Sequence, residues 1–336
     1  MGNQTMKLSG LPKWFVSAPL IVGAALAITL SLPILLPVSL LLSLVPGFAG
    51  CWRALLFFTT YLYCETAGIF ACGYLWLTRR KNREAYLQSN YRLQAWWAGT
   101  LKRGAEIFFD LRFVLHNTAC LKGPAALLFA RHTSIGDTVL PIVYYATPEK
   151  VQLRYVMKSE LLWDPCLELV GNRLPNYFVA RGSKDSAAEI KGVVGLLEGL
   201  PENEGVFLYP EGTRFAAHKR ERLVRKSAQN AELQQHLERW QSLLPPRLGG
   251  SLGILDANPQ RDLLFFAHVG FEGSADFAEL INGAWAHTEV HLEFWRVPFT
   301  DIPQDPAGQQ EFLYQQWDRM QATVDRLTAL VDKPVD

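Results

Sequence analysis

The chain has 336 residues, of which 49% are hydrophobic, and its 33 basic residues nearly balance 32 acidic residues for a formal net charge of +1. This length and apolar content allow one large domain or two ordinary domains with a substantial buried core. A net charge so close to zero does not support general nucleic-acid binding. The five cysteines include no C-x-x-C pair, so neither a disulfide framework nor a zinc site is predicted.

Two long apolar segments open the chain. No Asp, Glu, Lys or Arg occurs in residues 14–52, a stretch longer than the roughly 20 residues with which a helix crosses a bilayer. A second apolar segment, residues 54–77, contains one acid, Glu65, and is followed by the basic cluster 79–81. Two membrane helices are therefore predicted. An acid at membrane depth is costly unless it is paired or faces protein or water. A protein partner such as Tyr61, or a position near the surface of a shallow hairpin, is therefore favoured over contact with a lipid head group.

The residues between these segments predict a helical hairpin. Residues 45–50 contain Pro and Gly, which form turns, so both ends of the hairpin are expected on one side of the membrane. Lys7, Lys13 and the cluster at 79–83 mark that side as cytoplasmic, because positive residues concentrate there. The rest of the chain is then expected on the cytoplasmic side.

The same segment leaves its topology open. Pro33 and Pro37 each remove a backbone donor and disfavour a straight helix, so the hairpin could also be kinked or re-entrant within one leaflet. A cleaved signal peptide at 1–30 is disfavoured, because a second apolar segment and a basic stop follow it. We therefore expect an integral or monotopic membrane protein.

The pattern after residue 83 predicts a separate α/β domain. Residues 1–83 are expected to be a membrane-anchoring hairpin and residues 84–336 a cytosolic domain that begins with a linking helix near 83–109. Short apolar runs then alternate with polar, Gly and Pro residues, as in strands that alternate with helices. The predicted strands are 125–130, 206–209, 263–269 and 289–297. The predicted helices are 138–146, 186–199, 218–243 and 309–331.

One histidine and one aspartate follow a predicted strand. His132 and Asp137 lie in Arg-His-Thr-Ser-Ile-Gly-Asp, directly after the apolar run 127–130, where a strand-to-helix turn exposes side chains at a sheet edge. An imidazole held by a carboxylate through one nitrogen can use the other to remove a proton from a hydroxyl, an effect of about 10² to 10⁴ in rate. The carboxylate also stabilises the imidazolium that forms. Alone, this pair is a weak signal, and a structural histidine satisfied by a neighbouring residue is the default interpretation.

A second motif follows another predicted strand. Residues 206–209 lead directly into Pro-Glu-Gly-Thr-Arg at 210–214, where the Gly permits close backbone approach and Arg214 has the planar fork that binds phosphate. Between the two motifs, the apolar run 176–180 ends in Arg181. Two arginine-bearing motifs therefore accompany the His-Asp pair.

Together these motifs resemble the glycerolipid acyltransferase family, which comprises lysophosphatidate and glycerol-3-phosphate acyltransferases. The resemblance covers about residues 120–215 and implies a mixed-sheet α/β acyltransferase domain. It implies that His132 is the general base and that Asp137 orients it, without a metal, a bound cofactor or an acyl-enzyme. It further implies that the acceptor is bound by the following residues: Arg181, Glu211, Gly212, Thr213 and Arg214.

The resemblance also implies the substrates. The donor would be a thioester, acyl-CoA or acyl carrier protein, and the acceptor a lysophospholipid in the bilayer. Because two motifs carry Arg, 1-acylglycerol-3-phosphate is the favoured acceptor, with another lysophospholipid or a glycolipid as alternatives. The chain departs from the family pattern at Arg131, where Asn is common, and at Ala180, where Asp is frequent. Residues 265–270 stand where a fourth motif with an apolar-Pro-apolar core is expected.

A charged segment follows the second motif. Residues 216–247 are expected to be a helical insertion that carries His218, Lys219, Arg220, Arg222, Arg225 and Lys226. Such a segment could bind the phosphates of coenzyme A or an anionic bilayer surface. A solvated helix face is the alternative, since runs of charge usually are solvated.

Two competing functions remain. Gly249 to Gly253 match the G-x-S-x-G nucleophile elbow, and Asp276 and His287 follow Ser251 in the order that a serine lipid hydrolase requires. No strand precedes Ser251, since Pro245 and Pro246 lie there, so a Gly-rich loop is favoured. A non-catalytic lipid-binding module is the third possibility, and the intact motifs argue against it.

Overall fold

The structure, a computed structural model, describes residues 12–180, 185–227, 231–272 and 277–331. Its helices are α1 (Trp14–Leu42), α2 (Cys51–Arg79), α3 (Arg83–Phe109), α4 (Pro165–Gly171), α5 (Ser186–Val194), α6 (Ala217–Lys226), α7 (Ala231–Arg239), α8 (Leu248–Asp256), α9 (Phe277–Ile281) and α10 (Pro306–Val331). Its strands are β1 (Arg112–His116), β2 (Leu127–Ala130), β3 (Gln152–Lys158), β4 (Tyr177–Val179), β5 (Glu204–Leu208), β6 (Leu263–Val269) and β7 (Glu289–Val297).

Helices α1 and α2 form the predicted hairpin. They pack against each other on either side of the turn at residues 43–50, and both are long and apolar enough to cross a membrane. α1 remains helical through Pro33 and Pro37. Large apolar side chains of α1, such as Leu30 and Ile34, stay exposed. An exposed apolar helix of this length suggests association with a membrane.

The second helix of the hairpin is also part of the folded domain. Glu65 is fully buried, and its carboxylate accepts hydrogen bonds from Trp97 Nε1 of α3 at 2.5 Å and from the Cys166 N–H of α4 at 3.2 Å. Tyr61, the partner suggested by the sequence, instead donates to Asp164 at 2.7 Å. Glu65 therefore has the protein partners that its burial requires.

In the described residues, seven strands form a mixed sheet in the order β1-β7-β6-β2-β5-β3-β4. All neighbouring strands are parallel except β6 and β7, which are antiparallel. This topology confirms the predicted mixed-sheet α/β class. Parallel neighbours place their carboxyl ends at one edge, where sites form in α/β proteins.

The sheet is covered by helices on both faces. Leu128 and Ala130 of β2 pack in a core with side chains of α2 and α3. Leu127 and Phe129, which alternate with them, pack in a second core with side chains of α5, α8 and α10. Every residue of β2 and β6 is buried, as expected for central strands that are covered on both sides.

Three predictions of local structure need correction. β1, β3 and β4 were absent from the predicted strands. β3 contains a buried Arg154 that breaks the apolar pattern and pairs with Glu204 of β5 at 2.7 Å. The predicted helix 218–243 is α6 and α7, and residues 240–247 leave the helix before Pro245 and Pro246. The predicted Gly-rich loop at 249–253 is part of α8.

Candidate active site

The two sequence motifs meet at the carboxyl edge of the sheet. β2 ends at Ala130 and is followed by His132, and β5 ends at Leu208 and is followed by Glu211. The two strands are parallel neighbours, and β6 lies on the other side of β2. Segments far apart in sequence are therefore brought together because three parallel strands end side by side.

His132 and Asp137 form a hydrogen-bonded pair within this edge. His132 Nδ1 lies 3.0 Å from Oδ1 of Asp137. A carboxylate only accepts hydrogen bonds, so the contact places the ring proton on Nδ1 and leaves Nε2 with a free lone pair. The His132 side chain is 11% exposed, whereas that of Asp137 is 1% exposed. This is the arrangement that a general base requires.

Asp137 is held rigidly by further donors. Its Oδ2 accepts the N–H groups of Thr133 at 2.7 Å and Ser134 at 2.9 Å, which folds the loop around the carboxylate. Burial by itself would raise the pKa of Asp137. Its interactions with the imidazoles of His132 and His268 outweigh burial, so the pKa of this carboxyl is held well below its usual range. Asp137 is therefore ionised at neutral pH.

Tyr209 completes the surroundings of the pair, although the sequence did not single it out. Its ring stacks on that of His132 with 3.9 Å between centroids, and its hydroxyl donates to Oδ1 of Asp137 at 3.1 Å. Burial raises the pKa of the Tyr209 phenol well above its usual value, so the hydroxyl stays protonated. The imidazole is thus fixed by its ring face as well as by its hydrogen bond.

Glu211 joins the second motif to the backbone of the first. It is 2% exposed, and its two carboxylate oxygens accept the N–H groups of His132 and Leu244, each at 3.0 Å. On the other side, the Phe215 N–H donates to the His132 carbonyl oxygen at 2.7 Å. The Glu211 side chain therefore positions His132 in this structure, and a direct contact with the acceptor is less compatible with its burial.

Gly212 allows two segments to approach each other. Its φ is +65°, and a Cβ on this residue would lie 2.7 Å from Cδ and Nε of Arg247. The exposed Arg247 side chain therefore lies across the turn. The sequence analysis did not predict that Arg247 would be close to this motif. Thr213 and the Arg214 carbonyl both accept hydrogen bonds from Lys219 Nζ, at 3.0 and 2.8 Å. Lys219 thus fixes the turn that presents the half-buried Arg214.

Other members of the basic segment are structural or solvent-facing. Arg220 donates to the carbonyl oxygens of Trp240 and Leu237, the first at 3.0 Å and the second at 2.5 Å, and so attaches α6 to α7. Arg222 and Arg225 are exposed on α6. Helix α6 therefore presents positive charge beside the second motif, in agreement with either of the roles considered for it.

Arg131, one of the departures from the family pattern, is a structural residue. Its guanidinium is 1% exposed and donates to the carbonyl oxygens of His268 at 2.5 Å and Ser242 at 3.1 Å. It also forms an ion pair with Glu272 at 2.7 Å. These bonds hold together the segments that follow β2 and β6. Arg181 lies outside the described residues, two positions after the end of β4.

The serine of the competing motif has no nucleophile geometry. Ser251 is 1% exposed within α8, and a helix interior lacks the strand-to-helix turn of a nucleophile elbow. His287 contacts Asp110 and Arg53, each at 3.0 Å, and Asp276 lies outside the described residues. The predicted hydrolase alternative is therefore contradicted by the fold.

Comparisons with known proteins match the part of the chain that contains this site. Residues 112–243 match the family model described as Acyltransferase. Among solved structures, the fold is similar to that of the 1-acyl-sn-glycerophosphate (LPA) acyltransferase PlsC from Thermotoga maritima. The TM-score is 0.56 and the identity is 15%, over 85% of this chain and 98% of that chain. No curated protein matches the chain.

The matched region contains both motifs. It begins with β1, ends after α7, and includes His132, Asp137 and Glu211. The structural match covers 85% of this chain. Residues 112–243 therefore match an acyltransferase domain, and the fold of the chain is similar to that of a 1-acyl-sn-glycerophosphate acyltransferase.

Proposed function

We propose that this protein transfers a fatty acyl group from a thioester donor to the free hydroxyl of 1-acylglycerol-3-phosphate, giving phosphatidate, with His132 as general base. The observation that carries the proposal is the 3.0 Å contact between His132 Nδ1 and Asp137 beside a turn that bears Arg214. Acyl transfer needs a base for the hydroxyl, and a phosphate acceptor needs cations nearby.

The reaction follows from the free nitrogen of His132. Nε2 removes the proton of the acceptor hydroxyl as its oxygen attacks the thioester carbonyl carbon. The C–O bond forms, the C–S bond breaks, and the imidazolium returns the proton to the departing thiolate. Asp137 stabilises the imidazolium between these steps, as the buried carboxylate does in a serine-protease triad. Neither a metal nor an acyl-enzyme enters this scheme.

The acceptor is proposed from the charges around the turn. Arg214 lies in the turn at Gly212, and the exposed Arg247 lies across that turn. Arg181, which lies outside the described residues, follows β4 in the sequence. Guanidinium groups bind phosphate oxygens in a planar, bidentate manner. We therefore favour a lysolipid with a phosphate monoester over a lysophospholipid with a larger head group or a glycolipid.

The hairpin is proposed to bring the site to the lipid. α1 presents a long exposed apolar surface, and α2 joins it to the domain through Glu65. A lysolipid acceptor resides in a bilayer, so a site anchored at the membrane surface can receive it without extracting its chain into water. The basic residues at 79–83 place the domain on the cytoplasmic side in this proposal.

Transfer assays test the proposal. Purified protein is mixed with lysophosphatidate and isotopically labelled acyl-CoA or acyl carrier protein, and products are identified by mass spectrometry. We expect phosphatidate from the wild type and a loss of about 10² to 10⁴ in rate for His132→Ala. Ser251→Ala is the matched control and should transfer near the wild-type rate. Ester hydrolysis without an acceptor, or full activity in His132→Ala, would overturn the proposal.

A panel of acceptors tests the phosphate preference. Lysophosphatidate is compared with lysophosphatidylethanolamine, lysophosphatidylglycerol and a glycolipid at equal surface concentration. The highest kcat/KM is expected for the phosphate monoester, because it alone presents a terminal dianion to the arginines. Higher kcat/KM for another acceptor would retain the acyltransferase and reassign its substrate.

A further inference from the structure

His268 is a fully buried histidine that the site described above leaves unexplained. It lies near the end of β6, and both its side chain and its residue surface are 0% exposed. Its Nε2 is 3.1 Å from the carbonyl oxygen of Arg131 and 3.4 Å from Oδ2 of Asp137. The carboxylate that contacts His132 therefore has a second imidazole beside its other oxygen.

The contacts of His268 indicate which ring nitrogen carries its proton. Both neighbours of Nε2 are oxygen acceptors, so Nε2 carries a proton that it can share between them. Nδ1 has no hydrogen-bond partner among the described residues, and the rings of Phe266 and Phe271 lie beside the imidazole at 5.7 and 6.1 Å. The proton of the ring therefore lies on Nε2.

An imidazole at this position has a cost that an apolar residue would avoid. A buried nitrogen without a partner is destabilising, because it has lost its hydrogen bond to water and gained none. An apolar side chain would not carry that loss. The histidine is therefore explained by the contacts of its other nitrogen.

Asp137 has four close donors, and His268 is a fifth, longer contact at 3.4 Å. A carboxylate offers about four lone-pair directions. Asp137 receives the imidazole of His132, the hydroxyl of Tyr209 and the N–H groups of Thr133 and Ser134, with His268 as a further donor. Each added donor withdraws negative charge from the carboxylate. A carboxylate with less free charge attracts a proton onto the neighbouring imidazole less strongly.

We propose that His268 is a positioning residue that shares the Asp137 carboxylate with His132, fixes its orientation, and keeps His132 unprotonated at lower pH than Asp137 alone would allow. The inference rests on the proposed function, in which an unprotonated His132 is the reactive form. Removing the N–H of His268 would leave Asp137 more strongly paired with His132 and would make the imidazolium easier to form.

Several other charged or titratable groups lie around His268 and Asp137. Arg131 and Glu272 form an ion pair at the end of β6, and the Arg131 guanidinium binds the His268 carbonyl oxygen. Tyr209 and Glu211 face Asp137 from the segment after β5. These groups are unchanged in the variants below, so a pH effect can be assigned to the imidazole.

The test compares His268→Met with His268→Gln. Met fills the space without a donor, whereas the amide nitrogen of Gln can take the place of Nε2. The pH dependence of kcat/KM reports ionisations of the free enzyme. In His268→Met we expect the acidic limb to move to higher pH by about half a unit to one unit, because one donor to Asp137 is lost. In His268→Gln the limb should stay near the wild-type position.

His291→Met is the matched control, since His291 is a buried strand histidine whose ring pairs with His116 instead of Asp137.

A second readout does not require substrate. The Cε1 resonance of His132 is followed by NMR in detergent with ¹³C-labelled histidine, and His132→Ala identifies it. Its protonation transition should move upward in His268→Met and remain in place in His268→Gln and His291→Met. The inference would be overturned if His268→Met lost the same fraction of kcat/KM at every pH and its acidic limb did not move. It would also be overturned if His268→Met and His268→Gln behaved identically. Absence of transfer by the wild type would instead overturn the proposed function and leave the NMR comparison valid.

Discussion

The carboxylate of Glu211 accepts the backbone N–H of His132 at 3.0 Å. The glutamate of the second motif therefore fixes the backbone of the histidine in the first motif. Its other oxygen accepts the Leu244 N–H at the same distance. One buried side chain thereby connects three segments at the edge of the sheet. The order of strands β2 and β5 makes this connection possible, because the two strands are parallel neighbours.

Glu211 should make stability depend on pH. Burial raises the pKa of Glu211 to about 8, and the N–H groups that it accepts from limit the rise. The value in the unfolded chain is about 4.3. The folded protein therefore binds a proton between these values that the unfolded chain releases, so stability should fall as pH rises from about 4.3 through 8.

Thermal unfolding in detergent at pH 5 and pH 8 checks this dependence. The melting temperature of the wild type should decrease between the two values, and the decrease should be smaller in Glu211→Gln, which cannot ionise. Glu211→Ala should melt lower at both values because two buried N–H groups lose their acceptor. An equal pH dependence in the wild type and in Glu211→Gln would assign the effect to another group.

Asp137→Asn should remove most of the transfer rate with the fold intact. Asn can present an amide N–H to His132, which favours the proton on Nε2 and takes away the lone pair that the base needs. A loss of about 10⁴ in kcat is expected by comparison with the same change in a serine-protease triad. KM for both substrates should change little, because Asp137 is buried and contacts neither of them in the proposed reaction.

The control for this variant is Asp164→Asn, which alters a carboxylate that binds Tyr61 at 2.7 Å outside the site. It should retain transfer within a few-fold of the wild type. Circular dichroism and melting temperature establish that Asp137→Asn is folded. A folded Asp137→Asn variant with wild-type kcat would show that His132 does not depend on this carboxylate.

The strands that carry the site could be predicted from the local sequence, since β2 and β6 are continuous apolar runs buried on both faces. The pairing of His132 with Asp137 was also predictable from the local sequence, because both residues lie in one turn. β3 was not predictable, since Arg154 interrupts its apolar pattern and is neutralised by Glu204 across the sheet. That partner belongs to a distant segment.

The remaining residues of the site depend on the order of the strands. His268 reaches Asp137 because β6 lies beside β2, and Tyr209 reaches it because β5 lies on the other side. Arg247 crosses Gly212 because the chain leaves the helix at residue 240 and returns to the turn. A single sequence contains no periodic signal for these contacts. The strand-end positions of Tyr209 and His268, polar groups at the ends of apolar runs, are the only local indications.

Arg214 and Arg247 should determine recognition of the acceptor phosphate. Replacement of either by Ala should lower kcat/KM for lysophosphatidate by about 10- to 100-fold, the range for loss of a charge-assisted hydrogen bond. The effect should appear in the KM for the acceptor and be small for acceptors without a phosphate monoester. Lys should restore part of the loss, since it keeps the charge without the planar fork.

Steady-state kinetics with lysophosphatidate and a neutral lysolipid separate the two contributions. Arg103→Ala is the matched control, because the Arg103 side chain is 73% exposed on α3 and lies outside the turn. If Arg247→Ala alters the KM for acyl-CoA and leaves that for the acceptor unchanged, Arg247 binds the donor phosphates instead. Equal effects on phosphate and neutral acceptors would exclude a phosphate-specific role for either arginine.

Glu65 should link the stability of the hairpin to that of the catalytic domain. Its carboxylate binds Trp97 of α3 and Cys166 of α4, and no part of it is exposed. Glu65→Leu would leave two buried N–H groups without an acceptor, at a cost of about 1 to 3 kcal/mol for each. Glu65→Gln keeps one acceptor oxygen and should cost less.

Unfolding of the domain, followed by tryptophan fluorescence in detergent, should therefore begin at lower temperature in Glu65→Leu than in Glu65→Gln. Glu84→Leu, a change of an exposed glutamate at the start of α3, should leave it nearly unchanged. A domain transition that Glu65→Leu does not move would mean that the hairpin is a membrane anchor which folds independently of the site it carries.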